Sequence, residues 1–165
     1  MKRTQKRRRR EGKTDYLKRI NLLKGKTPRI VFRKTNKYII AQYVESKEAK
    51  DKIVFSVTSK HLLKEGWPKE MSGSLKSISA AYFTGLLTGA KIKANKLKTP
   101  ILDTGMVRSL GKTKVFGFIK GLIDAEIKIN CKEENFPEKD RIKGKALQDK
   151  GFDFEKIKSK ISKNG

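Results

Sequence analysis

Polar and apolar positions alternate most regularly over residues 28–44, PRIVFRKTNKYIIAQYV. Ile30 and Phe32 alternate with Arg29, Val31 and Arg33, and Tyr38, Ile40, Gln42 and Val44 alternate with Ile39, Ala41, Tyr43 and Glu45. A period of two in runs rich in β-branched and aromatic residues predicts two half-buried strands. The charged turn Arg33-Lys34-Thr35-Asn36-Lys37 joins them. Asn36 tolerates the left-handed backbone that a tight connection usually needs, which puts Thr35 and Asn36 near the tip of a hairpin. A third strand follows over 52–58 after a polar turn, and a short buried strand over 99–104.

Elsewhere the period is helical. Residues 14–24 predict a short amphipathic helix capped by Thr14 or Asp15, with Leu17, Ile20 and Leu23 or Lys24 on one side. Gly25 ends it and Pro28 prevents its resumption. Ser59 caps a short helix to residue 64, stopped by Gly66, and Trp67 reads as a core anchor. Ser72 or Ser74 opens the main helix, running to about residue 97, with Leu75, Ile78, Ala81, Tyr82, Leu86, Ala90 and Ala94 as its buried face. Gly85 and Gly89 within it allow a neighbouring backbone to approach closely. Phe116, Ile119, Ile123 and Ile127, with Val115 and Leu122 beside them, predict a second core-facing helix. Phe154, Ile157 and Ile161 line one side of a last helix over about 153–162.

This order of elements predicts an α/β or α+β domain with a mixed sheet of about four to five strands and packed helices. Strand three, the main helix and strand four would form a right-handed crossover. The organisation expected is a basic arm and short helix over 1–27, an α/β core over 28–130, and a charged C-terminal segment with a short helix over 131–165.

Charge changes the picture from a generic domain to one with a polyanionic partner. The 165 residues carry 42 lysines and arginines against 17 acids, a formal net charge of +25. A compact domain so charged repels itself unless a polyanion neutralises it, and nucleic acid is the first candidate. An acidic membrane surface needs a broad apolar helix face beside its cations or a lipidation signal, and the sequence has neither. No apolar run reaches transmembrane length, and the cationic N-terminus is no signal peptide. The single cysteine, Cys131, cannot form an internal disulfide, which fits a reducing compartment. Residues 1–37 hold 16 of the basic residues and only Glu11 and Asp15 as acids. Residues 1–12 are too charged to fold alone and are expected to be disordered until they meet phosphates. The run Arg7-Arg8-Arg9-Arg10 at their centre also fits the loose pattern of a nuclear-localisation signal.

Enzymatic chemistry finds little support. Gly-Lys-Thr occurs at 12–14, 25–27 and 111–113, the last between a strand and a helix. A phosphate-binding loop there needs glycine where Met106 stands, and Gly105 is one position too early. A metal-dependent nuclease would have to use Asp103, Asp124 and Glu126. Asp124 and Glu126 lie two apart on a predicted helix and cannot face one site, and salt bridges to lysines explain them with less. His61, the sole histidine, has no partner at ligand spacing.

Several blocks carry a wider resemblance: RRRREGKTDYLKRINLLKGKTPRIVFRKTNKYIIAQYV, AAYFTGLLTGAK, ILDTGM, GKTKVFGFIKGLIDA and FPEKDRIKGKAL. In this order they resemble the large-subunit ribosomal protein eighteen family, in its archaeal type. The resemblance covers nearly the whole chain. It implies a ribonuclease-H-like fold without nuclease activity, no cofactor or metal, no small-molecule substrate and no membrane partner. It further implies a cytoplasmic place in the central protuberance of the large subunit, against 5S rRNA, large-subunit rRNA and neighbouring ribosomal proteins. By matching motif, RNA contacts fall on Arg7, Arg8, Arg9, Arg10, Lys13, Tyr16 and Arg19 in the arm. They continue on Arg29, Arg33, Lys34, Asn36 and Lys37 in the hairpin and on Arg108, Lys112 and Lys114 in the later loop. Longer members continue past the position of Gly151-Phe152, and contacts of such an extension are not carried over. Cations release counterions from phosphates, and Tyr16 or Tyr38 offers a ring for an unpaired base. The alternatives are a generic basic binder of nucleic acid and the metal-dependent nuclease.

Overall fold

A computed structural model describes residues 4–48, 50–107, 110–144 and 152–163. In chain order the elements are α1 (Arg7–Arg10), α2 (Tyr16–Lys24), β1 (Arg29–Lys34), β2 (Ile39–Lys47), β3 (Lys50–Thr58), α3 (Ile78–Ala94), β4 (Ile101–Asp103), α4 (Lys114–Asp124), α5 (Lys139–Lys143) and α6 (Phe154–Lys163), with 3-10 turns at Ser59–Leu63, Lys69–Ser74 and Glu133–Asn135. The four strands form one mixed sheet in the order β3-β2-β1-β4. β1 to β3 are an antiparallel meander, and β4 joins β1 in parallel. The mixed α/β class expected from the residue pattern is therefore the one observed.

Strand alternation gives the sheet two unlike faces. Ile30 pairs across from Tyr43 and Phe32 from Ala41, while Tyr43 and Ala41 pair on their other side with Phe55 and Val57. Ile30, Phe32, Ile39, Ala41 and Tyr43 meet Ala81 and Ile92 of α3 and Val115, Phe118, Ile119 and Leu122 of α4 in one apolar cluster, with Phe55 packed against it, while Val57 joins the cluster beyond α3. Phe32 and Phe118 meet in the former cluster, ring centroids 5.0 Å apart and planes tilted by 49°. Arg29, Val31 and Arg33 point to the opposite face.

A second cluster lies beyond α3, where Leu62, Trp67, Leu75, Tyr82, Phe83 and Leu86 meet Phe152, Phe154, Ile157 and Ile161. Trp67 is buried there as expected, its ring 4.8 Å from that of Phe152. α3 is thus clamped between two cores, and every residue from Ser79 to Gly89 is buried. A helix that is apolar all round has no single inner face, so the stripe expected from Leu75 to Ala94 is incomplete. Ala90 is only half-buried and Ala94 is exposed at the far end.

Other expectations shift for local reasons. α3 begins at Ile78 with Ser77 as its cap, its hydroxyl accepting from Ala80 N at 3.1 Å, because residues 69–74 wind as a 3-10 turn instead. Thr58, not Ser59, caps the turn that follows β3, and His61 closes a reciprocal capping box with it. β4 docks beside β1, so the connection from β3 passes over two strands to reach the far edge. α4 ends at Asp124, leaving Ile127 beyond it, and its buried stripe is Val115, Phe118, Ile119 and Leu122, with Phe116 and Ile123 half-buried. Arg7–Arg10 form a helical turn rather than an unstructured run. Asn36 has no left-handed backbone; the Thr35 hydroxyl closes the hairpin, accepting from Tyr38 N at 2.9 Å. In α2, Leu17 and Ile20 are 68% and 51% exposed, so the apolar side faces out.

The helix pair α3 and α4 packs through glycine. A Cβ at Gly85 would overlap the Phe118 carbonyl oxygen, and one at Gly121 would overlap that of Tyr82. Gly121→Ala is expected to lower unfolding stability by about 1–3 kcal/mol through overpacking. Gly73→Ala, where a Cβ meets nothing within 4 Å, should shift the denaturant midpoint little; equal effects at both sites would refute the close approach of the two helices.

Candidate nucleic-acid interface

The face of the sheet opposite α3 and α4 is organised by Arg29, which is 1% exposed. Its Nη1 donates to Asp103 Oδ2 at 3.2 Å, and its Nη2 to Asp51 Oδ1 at 2.7 Å and Ser46 Oγ at 2.9 Å. Each carboxylate is shared with a second arginine. Asp51 Oδ2 accepts from Arg19 Nη2 at 2.9 Å, and Asp103 Oδ1 stands 3.6 Å from Arg33 Nη2. Arg33 Nη1 also donates to the carbonyls of Phe32 and Asp103. The alternating series Arg19, Asp51, Arg29, Asp103, Arg33 therefore ties α2, β3, β1 and β4 together. Burial alone would raise the Asp51 carboxyl, but hydrogen bonds from Ser46 and Arg19 and the charges of Arg29 and Arg19 hold it below the ordinary carboxylate range. The resemblance places Arg29 against RNA; its guanidinium is instead enclosed by protein and has no face to offer a phosphate.

The arm is fastened over this network by its polar side. Asp15 Oδ1 caps α2 through Leu17 N and Lys18 N. Lys18 Nζ donates to Thr104 Oγ1 and to the Gly105 carbonyl, both at 3.1 Å. Gly105 has φ +60°, and the Arg33 guanidinium lies 2.9 Å from where a Cβ would be, so a side chain there would strain the backbone and push Arg33 from its place. That polar fastening is why Leu17 and Ile20 face outward. Ahead of α2, Arg8 Nε donates to Thr14 Oγ1 at 2.9 Å, and Glu11 pairs with Lys13 and Arg7. Lys6 sits 4.6 Å over the Tyr16 ring, covering the face through which a base would stack. A cleft of about 130 Å³ opens between arm and body, lined by Arg8, Lys13, Lys18, Arg19 and Arg33 with Asp15 and Asp103.

The remaining expected residues stand elsewhere. Lys34, Asn36 and Lys37 are exposed at the hairpin tip, clear of the arm. Lys34 alternates onto the same side as Phe32 and lines a separate cleft with Lys112 and Lys114 at the start of α4. Arg108 lies outside the described residues. The structure thus gathers Arg8, Lys13, Arg19 and Arg33 into one site and Lys34, Lys112 and Lys114 into another. Arg7, Arg9 and Arg10 remain on the exposed turn beside the first. Sequence reasoning missed Lys18, which reaches 86 residues along the chain to Thr104, because locally it is one more solvated lysine. It also missed Asp51, whose two arginine partners are remote in sequence.

The carboxylates weighed as metal ligands have other engagements. Asp103 belongs to the arginine network. Asp124 accepts from Tyr82 Oη at 2.8 Å and pairs with Lys120 at 2.9 Å, and Glu126 pairs with Lys93. Among the described residues no three histidine, cysteine or acidic side chains are grouped as metal ligands. His61 accepts from Thr58 N at 3.0 Å within its capping box.

Comparison with known proteins adds an independent line. Residues 2–100 match the family described as ribosomal large subunit proteins 60S L5 and 50S L18. The large ribosomal subunit protein uL18 of Korarchaeum cryptofilum is 42% identical over 141 residues, covering 86% of this chain and 70% of that protein. The protein of the same name from Methanoregula boonei is 40% identical over 141 residues, covering 86% of this chain and 79% of its own.

Two outcomes test the network. Arg29→Met strands two carboxylates, one of them buried, and is expected to lower stability by about 3–5 kcal/mol in denaturant unfolding; a loss no larger than that of an exposed arginine would contradict the assignment. Because the folded Asp51 carboxyl lies below its unfolded value, its contribution is complete above about pH 4 and is lost as pH falls through the lower folded value. Asp51→Asn should therefore flatten the acid limb of a thermal-stability profile, and an unaltered limb would remove Asp51 from the network.

Proposed function

The chain belongs to the family of large-subunit ribosomal proteins that includes uL18, and from that membership we propose that it binds 5S rRNA and anchors it to large-subunit rRNA in the central protuberance. Membership makes it a cytoplasmic, structural component of the large ribosomal subunit, with rRNA and other ribosomal proteins as partners. The choice of 5S rRNA and of the central protuberance is the finer step.

The observation that carries it is the arm cleft. Arg8, Lys13, Lys18, Arg19 and Arg33 converge there from three segments, and the Asp51 and Asp103 carboxylates fix Arg19 and Arg33 from behind while the Thr14 hydroxyl holds Arg8. Arginines held in this way keep free N–H groups in a set orientation, which suits bidentate capture of backbone phosphates. The hairpin tip adds Lys34, Asn36 and Lys37, and the exposed turn adds Arg7, Arg9 and Arg10 as looser phosphate ligands. A fixed constellation of phosphate ligands reads the shape of a folded RNA, whereas mobile lysines alone read only its charge.

Binding to 5S RNA, to an unrelated RNA of equal length and to duplex DNA across a salt series tests the reading. A preference for 5S RNA that survives at high salt is expected. Identical affinities that fall together would leave charge as the sole cause of binding and overturn it. Arg8→Ala with Lys13→Ala should reduce the salt slope by about 2, one for each phosphate-binding cation removed.

A further inference from the structure

Where the start of α3, the end of β1, the start of α4 and α5 come together, a cleft of about 300 Å³ is lined by Lys34, Lys112, Lys114 and Arg141 above Phe32 and Ile78. Among the described residues, no carboxylate lines it. Glu138 stands 3.7 Å from Lys112, and both side chains are more than half exposed, so that pair is weak. Lys76, two residues before Ile78 of the lining and next to the α3 cap Ser77, stands at the cleft's edge as the fifth cation. Partial burial, followed by the charges of Lys34 and Lys76, pushes the Lys114 ammonium below its ordinary pKa, which places the three lysines close enough to repel one another. The cap of α4 is open as well. Thr113 turns its hydroxyl to donate to the Leu110 carbonyl at 2.8 Å and gives the first helical turn no side-chain cap.

We propose that this cleft is a second RNA-phosphate site, independent of the arm, in which Lys76 and Arg141 act with Lys34, Lys112 and Lys114. The inference rests on the RNA-binding reading above and deepens it. Lys76, after a 3-10 turn, lies outside every block that carries the resemblance, and Arg141, on a five-residue helix inside one such block, is given no RNA contact by it. The geometry that joins them is the alternation of β1. Arg33 turns toward the arm cleft and Lys34, the next residue, toward this one, so one strand end feeds both faces of the sheet. Five convergent cations facing one weakly paired acid, Glu138, are unfavourable until an anion occupies the cleft. The occupant is RNA backbone because the cations are mostly exposed and come from four separate segments, which fits a run of successive phosphates better than one enclosed anion.

The test uses the full chain with Lys76→Ala and Arg141→Ala combined, read on 5S RNA and on unrelated RNA of equal length. Both residues are exposed, so the thermal midpoint should stay unchanged, which separates binding from folding. Affinity at moderate salt should fall about tenfold, and the log-log salt slope should become shallower by about 2, again one for each cation removed. Because the two clefts share no residue, this loss should add, on a logarithmic scale, to that of Arg8→Ala with Lys13→Ala. An unchanged slope on both RNAs overturns the second site. Absence of 5S preference in the unsubstituted chain overturns the ribosomal specificity instead, while the slope still decides the cleft.

Discussion

A guanidinium with 1% of its surface exposed is unfavourable unless its charge is matched, and Arg29 is matched by Asp103 and Asp51. Neither acid is saturated by one arginine, so each recruits another, Arg33 from the same strand and Arg19 from the arm. The outcome is a line of charges lying across one face of the sheet. It aligns β4 on β1, closes the β2–β3 hairpin through Ser46 and Asp51, and holds α2 in place without an apolar interface. Among the described residues Arg29 Nε has no hydrogen-bond partner. A buried ionic line of this kind contributes less to net stability than its many hydrogen bonds suggest, and its value lies in fixing geometry.

The two faces of the sheet divide the labour. On one, Phe32 and Phe118 build a core that α3 and α4 seal through backbone contact at Gly85 and Gly121. On the other, the space an apolar core would fill is occupied by arginines whose outer N–H groups remain available. Positive charge on this chain is therefore of two kinds: cations pinned by carboxylates, which keep an orientation, and cations in solvent, which supply only attraction. The first kind gives a folded RNA something to fit.

Much of the fold was legible. The hairpin from 28 to 44 declared itself by its period of two, and α6 by Phe154, Ile157 and Ile161, because each has one wet side and one dry side. α3 did not, because with cores on both sides its pattern has no phase, and its start was masked by a 3-10 turn with equally suitable serines. α2 misled for the opposite reason: its periodic leucine and isoleucine face solvent, and its lysine and arginine face the body. Of the RNA-contacting residues, the arm and hairpin could be placed by motif, yet a motif treats all arginines alike. Only the positions of Asp51 and Asp103 separate Arg29, which is structural, from Arg19 and Arg33, which retain exposed donors. Those two acids are remote from the arginines in sequence, and nothing local marks them.

Affinity of the Asp51→Asn protein for 5S RNA and for an unrelated RNA of equal length tests most directly whether orientation, and not charge alone, makes the interface. The substitution makes the chain one unit more positive and unties Arg19 from Arg29. If the network orients the phosphate ligands, preference for 5S RNA falls even though net charge rises. Tighter binding to both RNAs with the preference intact would contradict the account.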